Sequence, residues 1–404
     1  MQLRRLGLSL TALTVAFAAC TRVEEAGLPP PLPLASGGFA GEPMGPGSMA
    51  GAGSDATGGQ PQGPGGSPGA IALGLWPTFA TDPARAADTQ AVQAAVSALS
   101  VGSLTLPLYR RWDDLSGSTG SPRAVTWSEL DAMSKPYRDR AGKLALCIGI
   151  VDRADTAWPF DGELDTEQAS AAMQRTIDEV FARYAGQLSH LCFGYELDRY
   201  LTRASRRAQQ RLLAFLNQAV TYASQHPMRS SKTAIGTALT LDALSQVTST
   251  EALLDDLLVG DEVVAVYDPL NGQDELKAPG SIADELSAAI EALAARPGAA
   301  LPLTLFEVGY PTGGGASDGD QSQFYDALFE AVGERRDALG FVGVFGLGDR
   351  APAECEAEAA HFGGASDAVA ERAAVRCSMG LRADGAGTDK PAWQSVLAAF
   401  SRYR

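Results

Sequence analysis

Short apolar runs punctuate the chain at Ile71–Leu75, Ser103–Tyr109, Leu144–Val151, Leu188–Tyr195, Thr233–Leu239, Glu262–Tyr267, Leu303–Glu307 and Phe341–Phe345. Their length predicts strands. Between them, apolar residues recur at helical spacing. Val92, Val96 and Leu99 share one face, as do Met173, Ile177, Val180, Phe181 and Tyr184. Leu212, Leu213, Leu216 and Val220 form a third, and Leu286, Ile290 and Leu293 a fourth. Phe324, Leu328 and Val332 continue the series, and Val396 to Phe400 predicts a closing helix. Continuous apolar strands that alternate with helices predict an α/β protein with a parallel sheet covered on both faces. Eight such units predict a closed (β/α)8 TIM barrel. A doubly wound open sheet is the alternative. It often carries a Gly-rich phosphate turn after the first strand, and "LGLWPTFATDP" has none. The "GGG" at Gly313 lacks the lysine of a phosphate-binding loop.

The first seventy residues read differently. Arg4 and Arg5 precede an apolar stretch, Leu6 to Ala19, that is too short to span a bilayer. It closes with small residues before Cys20, the pattern of a secretory signal. This stretch also resembles the lipobox of bacterial lipoproteins, in which the cysteine is acylated after cleavage. Phe17 departs from the usual Leu or Val. Residues 1–19 are thus expected to be a lipoprotein signal peptide, with membrane attachment through a lipid at Cys20. Ordinary secretion with a free Cys20 is the alternative. Residues 20–70 are rich in Gly, Pro and Ser and poor in aromatics, so they are expected to form a disordered tether. Residues 71–404 are the expected barrel domain. On this reading the protein is exported and lipid-anchored in a bacterial cell envelope.

A formal net charge of −16 argues against nucleic acid as a partner, because phosphate binding needs basic patches. No Cys/His spacing matches a zinc site, so no metal and no cofactor are expected. Cys147 and Cys192 lie in apolar runs and read as buried small hydrophobes. Cys355 and Cys377 flank a Glu/Ala-rich insert and are expected to form a disulfide in an exported protein.

Two runs end on a carboxylate. "LSHLCFGYELDRYL" delivers Glu196 after the fourth strand, and "LPLTLFEVGYPTGGG" delivers Glu307 on the seventh. In a barrel, reacting side chains stand at the C-terminal strand ends, so both acids face one mouth. Glycoside cleavage needs such a pair: one carboxylic acid protonates the leaving oxygen, and the other carboxylate attacks or activates water. Asp198 and Arg199 read as loop or helix-cap charges, and Asp268 as a ligand contact or a turn residue before Pro269. Aromatics cluster near strand ends: Trp76, Tyr109, Trp112, Trp158, Tyr195, Tyr267 and Tyr310. Sugar rings pack their C–H faces on such side chains, although about half of these positions are expected to be packing alone. Arg110 or Arg111, after the second strand, is expected to hold Glu307 ionised.

At this point the chain resembles a known group. Glutamates after strands four and seven of an eightfold barrel are the pattern of the clan A retaining glycoside hydrolases. "FGYELDRYL" is similar to their acid/base motif, usually Gly-Asn-Glu, and "LFEVGYPTG" to their nucleophile strand. "VVAVYDPL" resembles their sixth strand, and "GLRADGAGTDKPAW" their closing segment. The resemblance implies Glu196 as acid/base, Glu307 as nucleophile, and Tyr267 as a residue that orients Glu307. Tyr195 stands where the clan has an asparagine, and Phe345 where many members stack a tryptophan. The expected activity is retaining hydrolysis of a β-linked oligo- or polysaccharide by a monomer. A non-catalytic carbohydrate-binding or envelope scaffold protein is the rival.

Overall fold

The computed structural model describes residues 71–76, 104–115, 126–139, 142–152, 155–159, 162–246, 251–272, 274–296, 301–353, 355–356, 366–383 and 388–403. Cys20, the tether and the helix expected around Val92, Val96 and Leu99 lie outside them. Eight strands close a barrel: β1 (Ala72–Leu75), β2 (Thr105–Arg111), β3 (Lys143–Gly149), β4 (Leu188–Phe193), β5 (Ala234–Thr240), β6 (Glu262–Val266), β7 (Leu303–Val308) and β8 (Leu339–Val344). Each strand pairs in parallel with its sequence neighbours, and β8 closes on β1. This is the (β/α)8 barrel. A small hairpin, Val151–Asp152 with Asp155–Thr156, stands apart from it.

Side-chain alternation sorts the apolar residues into two layers. Trp76, Ala145, Cys147, Cys192, Ala238, Val264, Phe306 and Phe341 meet inside the barrel. The opposite parity, including Leu146, Ile148, Leu191, Phe193, Val263 and Leu305, packs under the helices. The helix Glu167–Tyr184 buries Met173, Ile177, Val180, Phe181 and Tyr184, and the Thr166 hydroxyl caps it by accepting from the Ala169 amide at 3.1 Å. Arg206–Ser224, Ser281–Ala294, Asp318–Glu334 and Ala392–Arg402 bury the other expected stripes, with Leu213 only partly covered.

Most strand ends differ from expectation by one or two residues, and three of the shifts have a visible cause. β2 extends to Arg111, because ladder pairing with Ile148 and Gly149 uses main-chain groups and tolerates charged side chains. β8 starts at Leu339, which pairs with Leu303. β4 stops at Phe193, because Gly194 (φ 80°) turns the chain out of the extended region.

The reading of Cys147 and Cys192 as separate hydrophobes is corrected. Both are buried, and they are bonded to each other, with Cα atoms 4.4 Å apart. They are register partners on β3 and β4, a coincidence across strands that local sequence does not encode. A second bond joins Cys355 and Cys377, with Cα atoms 5.7 Å apart.

Candidate active site

Glu196 follows β4 by three residues. Gly194 makes the turn: a Cβ there would lie 2.4 Å from the Leu197 side chain. Glu196 itself holds a left-handed conformation (φ 50°, ψ 46°) at the start of the helix Leu197–Leu201. For a residue with a side chain this costs about 1–2 kcal/mol. The carboxylate is fully buried. One helical turn onward, Arg199 Nη1 sits 3.2 Å from Glu196 Oε2.

Glu307 lies within β7. The β6–β7 ladder steps from Ala265–Leu305 to Val266–Glu307, so β7 carries one extra residue. A bulge of this kind lets two successive side chains face the same way. Phe306 joins the barrel interior, and Glu307 meets Tyr195 and Arg376 at the mouth. The Tyr195 phenol donates a short hydrogen bond to Glu307 Oε2. Arg376 Nη1 lies 3.5 Å from Glu307 Oε1.

Asp268 ties these halves together. Its Oδ2 accepts from Arg199 Nη2 at 2.7 Å and lies 3.7 Å from Arg376 Nη2. Its Oδ1 accepts from the Leu270 amide at 3.1 Å, so the turn role holds as well. The result is one chain of opposite charges: Glu196, Arg199, Asp268, Arg376, Glu307. Burial opposes the Arg199 cation, but the Glu196 and Asp268 carboxylates outweigh it and hold the guanidinium more firmly protonated than usual. Its shorter bond goes to Asp268, which leaves Glu196 the weaker share.

Around the acids stand some of the expected aromatics. Tyr195 packs on Tyr109, ring centroids 4.2 Å apart. Tyr109 lies over Gly149, where an added Cβ would come within 2.3 Å of its hydroxyl oxygen. Trp76 packs against Phe345 at 5.6 Å and donates its indole N–H to the Phe306 carbonyl at 2.8 Å.

Other expected residues lie elsewhere. Tyr267 does not orient Glu307. The alternation along β6 turns its ring outward against Phe324, at 5.2 Å, with Lys277 Nζ 4.8 Å from the centroid. The phenol on Glu307 comes from Tyr195 instead. Tyr310 stacks on the same Phe324 at 5.0 Å, and its hydroxyl donates to the Lys277 carbonyl. Trp112 is buried under the helices, where its indole N–H donates to Thr176 at 3.0 Å and its ring meets Phe215. Trp158 is half-buried against the outer layer.

The arginine expectation is corrected too. Arg110 turns back to donate to the Tyr109 carbonyl and the Met133 sulfur, and burial lowers its pKa to about 10. Arg111 pairs with Asp113 at 2.9 Å. A cation that does lie beside Glu307 is Arg376. Asp198 is no loose loop charge: its carboxylate accepts from the Thr240 amide at 2.7 Å and hydroxyl at 2.8 Å, which braces the end of β5.

Reasoning from sequence missed the roles of Arg199 and Arg376. The i, i+3 spacing from Glu196 was a usable signal for Arg199. Nothing in the sequence marks Arg376. Among the described residues, no group of three or more His, Cys, Asp or Glu side chains is arranged to hold a metal ion.

Chemically, the mouth offers one carboxylate held between a phenol and a guanidinium, and a second beside a cation already engaged by Asp268.

No protein-family model matches the chain, and no curated protein matches its sequence. Solved structures do match in shape. A GH5_18 of Bifidobacterium longum subsp. longum ATCC 55813, solved in complex with Manβ1-4GlcNAc, superposes with a TM-score of 0.59 at 14% identity, over 83% of this chain and 78% of that one. A GH5_18 of Streptomyces cattleya in complex with GlcNAc gives 0.58 at 15%, over 83% and 81%. The exo-β-1,4-mannosidase Op5Man5 of Opitutaceae bacterium strain TAV5 gives 0.54 at 12%, over 83% and 60%. The barrel fold is shared with these clan A glycoside hydrolases.

Proposed function

We propose that this chain is a retaining glycoside hydrolase acting on a β-linked sugar, with Glu307 as nucleophile and Glu196 as acid/base. The observation that carries the reading is the charge chain that joins two buried glutamates, from β7 and from the turn after β4, through Arg199, Asp268 and Arg376. In the first step Glu307 attacks the anomeric carbon while Glu196 protonates the departing oxygen. In the second, Glu196 takes a proton from water as the water oxygen displaces Glu307 from the sugar. The phenol of Tyr195 stabilises Glu307 as an anion before attack and as a leaving group afterwards.

β-Mannosides are the first substrates to test, because the neighbours in fold include a β-1,4-mannosidase and a complex with Manβ1-4GlcNAc. A panel of aryl β-mannosides, β-glucosides and β-N-acetylglucosaminides, assayed beside Glu307→Gln, is the test. Turnover in the wild type that falls by about four orders of magnitude or more in the variant supports the reading. No wild-type turnover on any glycoside refutes it.

A second reading is a sugar-binding barrel without turnover. It is favoured by the phenol seated on Glu307. Binding of a disaccharide without hydrolysis would select it.

Residues 1–20 add a location. Their resemblance to a lipobox supports a chain tethered to an envelope membrane through Cys20. Cys20→Ser should abolish acylation, read by mass spectrometry and membrane fractionation. A wild-type protein found wholly in the soluble fraction refutes the anchor.

A further inference from the structure

Arg376 belongs to no barrel strand. It sits in the last turn of the helix Ser366–Cys377, after β8, where the negative end of the helix favours a cation. The next residue, Cys377, is bonded to Cys355, and its carbonyl accepts from the Arg350 amide at 3.0 Å. Beyond it, the Ser378 carbonyl accepts from the Thr312 amide and from Lys390 Nζ, each at 3.0 Å. Upstream, Arg372 pairs with Asp274. The arginine is only 9% exposed, which leaves its head little freedom.

We propose, on the reading of Glu307 as nucleophile, that Arg376 is a positioning residue that keeps this carboxylate ionised, and that the Cys355–Cys377 bond holds the arginine in place. The local charges support it. Five charged groups from four segments make up the cluster: Glu196 and Arg199 after β4, Asp268 after β6, Glu307 on β7, and Arg376. The neutral phenols of Tyr195 and, behind it, Tyr109 stand beside the cluster. Three carboxylates face two guanidiniums. Arg199 is engaged by Glu196 and Asp268, and Arg376 is the guanidinium beside Glu307 in this cluster. Without it, the cluster would lose one of these two cations, and like charges push a carboxyl pKa up. The disulfide acts on the main chain one residue from the guanidinium, and the Ser378 contacts hold the other side. Loss of the bond should therefore loosen the arginine without releasing it.

The test uses the full-length chain with glutamate carboxyls labelled with carbon-13, and the Glu307 signal is identified by its absence in Glu307→Gln. The midpoint of its titration is followed in the wild type, Arg376→Gln, Arg376→Lys and Cys355→Ser/Cys377→Ser. The acidic limb of kcat/KM on an aryl β-glycoside is measured in parallel. Arg376→Gln should raise both by about one pH unit or more. Arg376→Lys should restore most of the shift, and the cysteine pair should move in the same direction by less. Where Arg376→Gln does not fold, Arg376→Met, which keeps an unbranched stem, takes its place. An unmoved midpoint in a folded Arg376 variant overturns the role of the arginine, and a cysteine variant that titrates as wild type overturns the clip. If the wild type cleaves no glycoside, the enzyme reading fails, yet the carboxyl titration still decides on Arg376.

Discussion

Two polar clusters among the described residues stand toward opposite ends of the barrel strands. Toward the N-terminal ends, the Glu262 carboxylate accepts from His190 Nδ1 at 2.9 Å and from the Thr304 hydroxyl at 2.5 Å, and Phe341 packs on the imidazole at 5.0 Å. Every partner there comes from a strand. At the mouth, the partners of Glu196 and Glu307 come from a left-handed turn, a one-turn helix, the loop after β6 and a disulfide-closed segment after β8. The first cluster is built by the same ladders that build the barrel, and the second by segments the barrel merely carries. One is expected to answer perturbation with unfolding, the other with loss of chemistry.

Glu196→Ala should separate the two ends most strongly. On substrates with poor leaving groups it should lose about 10²–10⁴-fold in kcat/KM, and far less on a dinitrophenyl glycoside. Added azide should then yield a glycosyl azide of retained configuration, with no change in melting temperature. A loss independent of the leaving group would remove Glu196 from its role. His190→Leu is the converse. It deprives the buried Glu262 carboxylate of a partner and should cost about 3 kcal/mol in chemical unfolding. A loss of turnover without a loss of stability would break the division.

Tyr195→Phe is expected to lower kcat about tenfold, with a smaller change in KM, because the phenol acts on Glu307 rather than on substrate binding. A change confined to KM would make Tyr195 a sugar contact. The smallest effect concerns Asp198. Burial raises its pKa, against the Thr240 hydrogen bonds that lower it. A carboxyl raised on folding contributes stability at low pH that is lost as pH rises through its folded pKa. Asp198→Asn should therefore make the slope of stability against pH more positive on the acid side of neutrality. An unchanged slope would show that Asp198 titrates as it does in the unfolded chain.

How much of this was legible in the sequence follows the same division. Strand and helix positions declare themselves by period, so β4, β7 and the acids at their ends could be read directly. The facing of Tyr267 was lost by one step of parity, because it continues the outward set of Val263 and Ala265. The bulge that turns Glu307 inward leaves no residue mark. Cys147 and Cys192 become partners only once register is set between neighbouring strands. Arg376 is one arginine in an insert whose helix has no counterpart in the eightfold repeat, and its meeting with Glu307 is purely tertiary.

The left-handed backbone at Glu196 turns that residue into a gauge of what the fold is maintained for. Glycine occupies this region freely, while alanine bears the same steric cost as glutamate. Randomise the codon, select only for heat resistance, and glycine should rise in the population. Select for growth on a glycoside, and glutamate should return. The two enriched pools, read by sequencing, would show at a single position the opposed demands of a durable barrel and a working mouth.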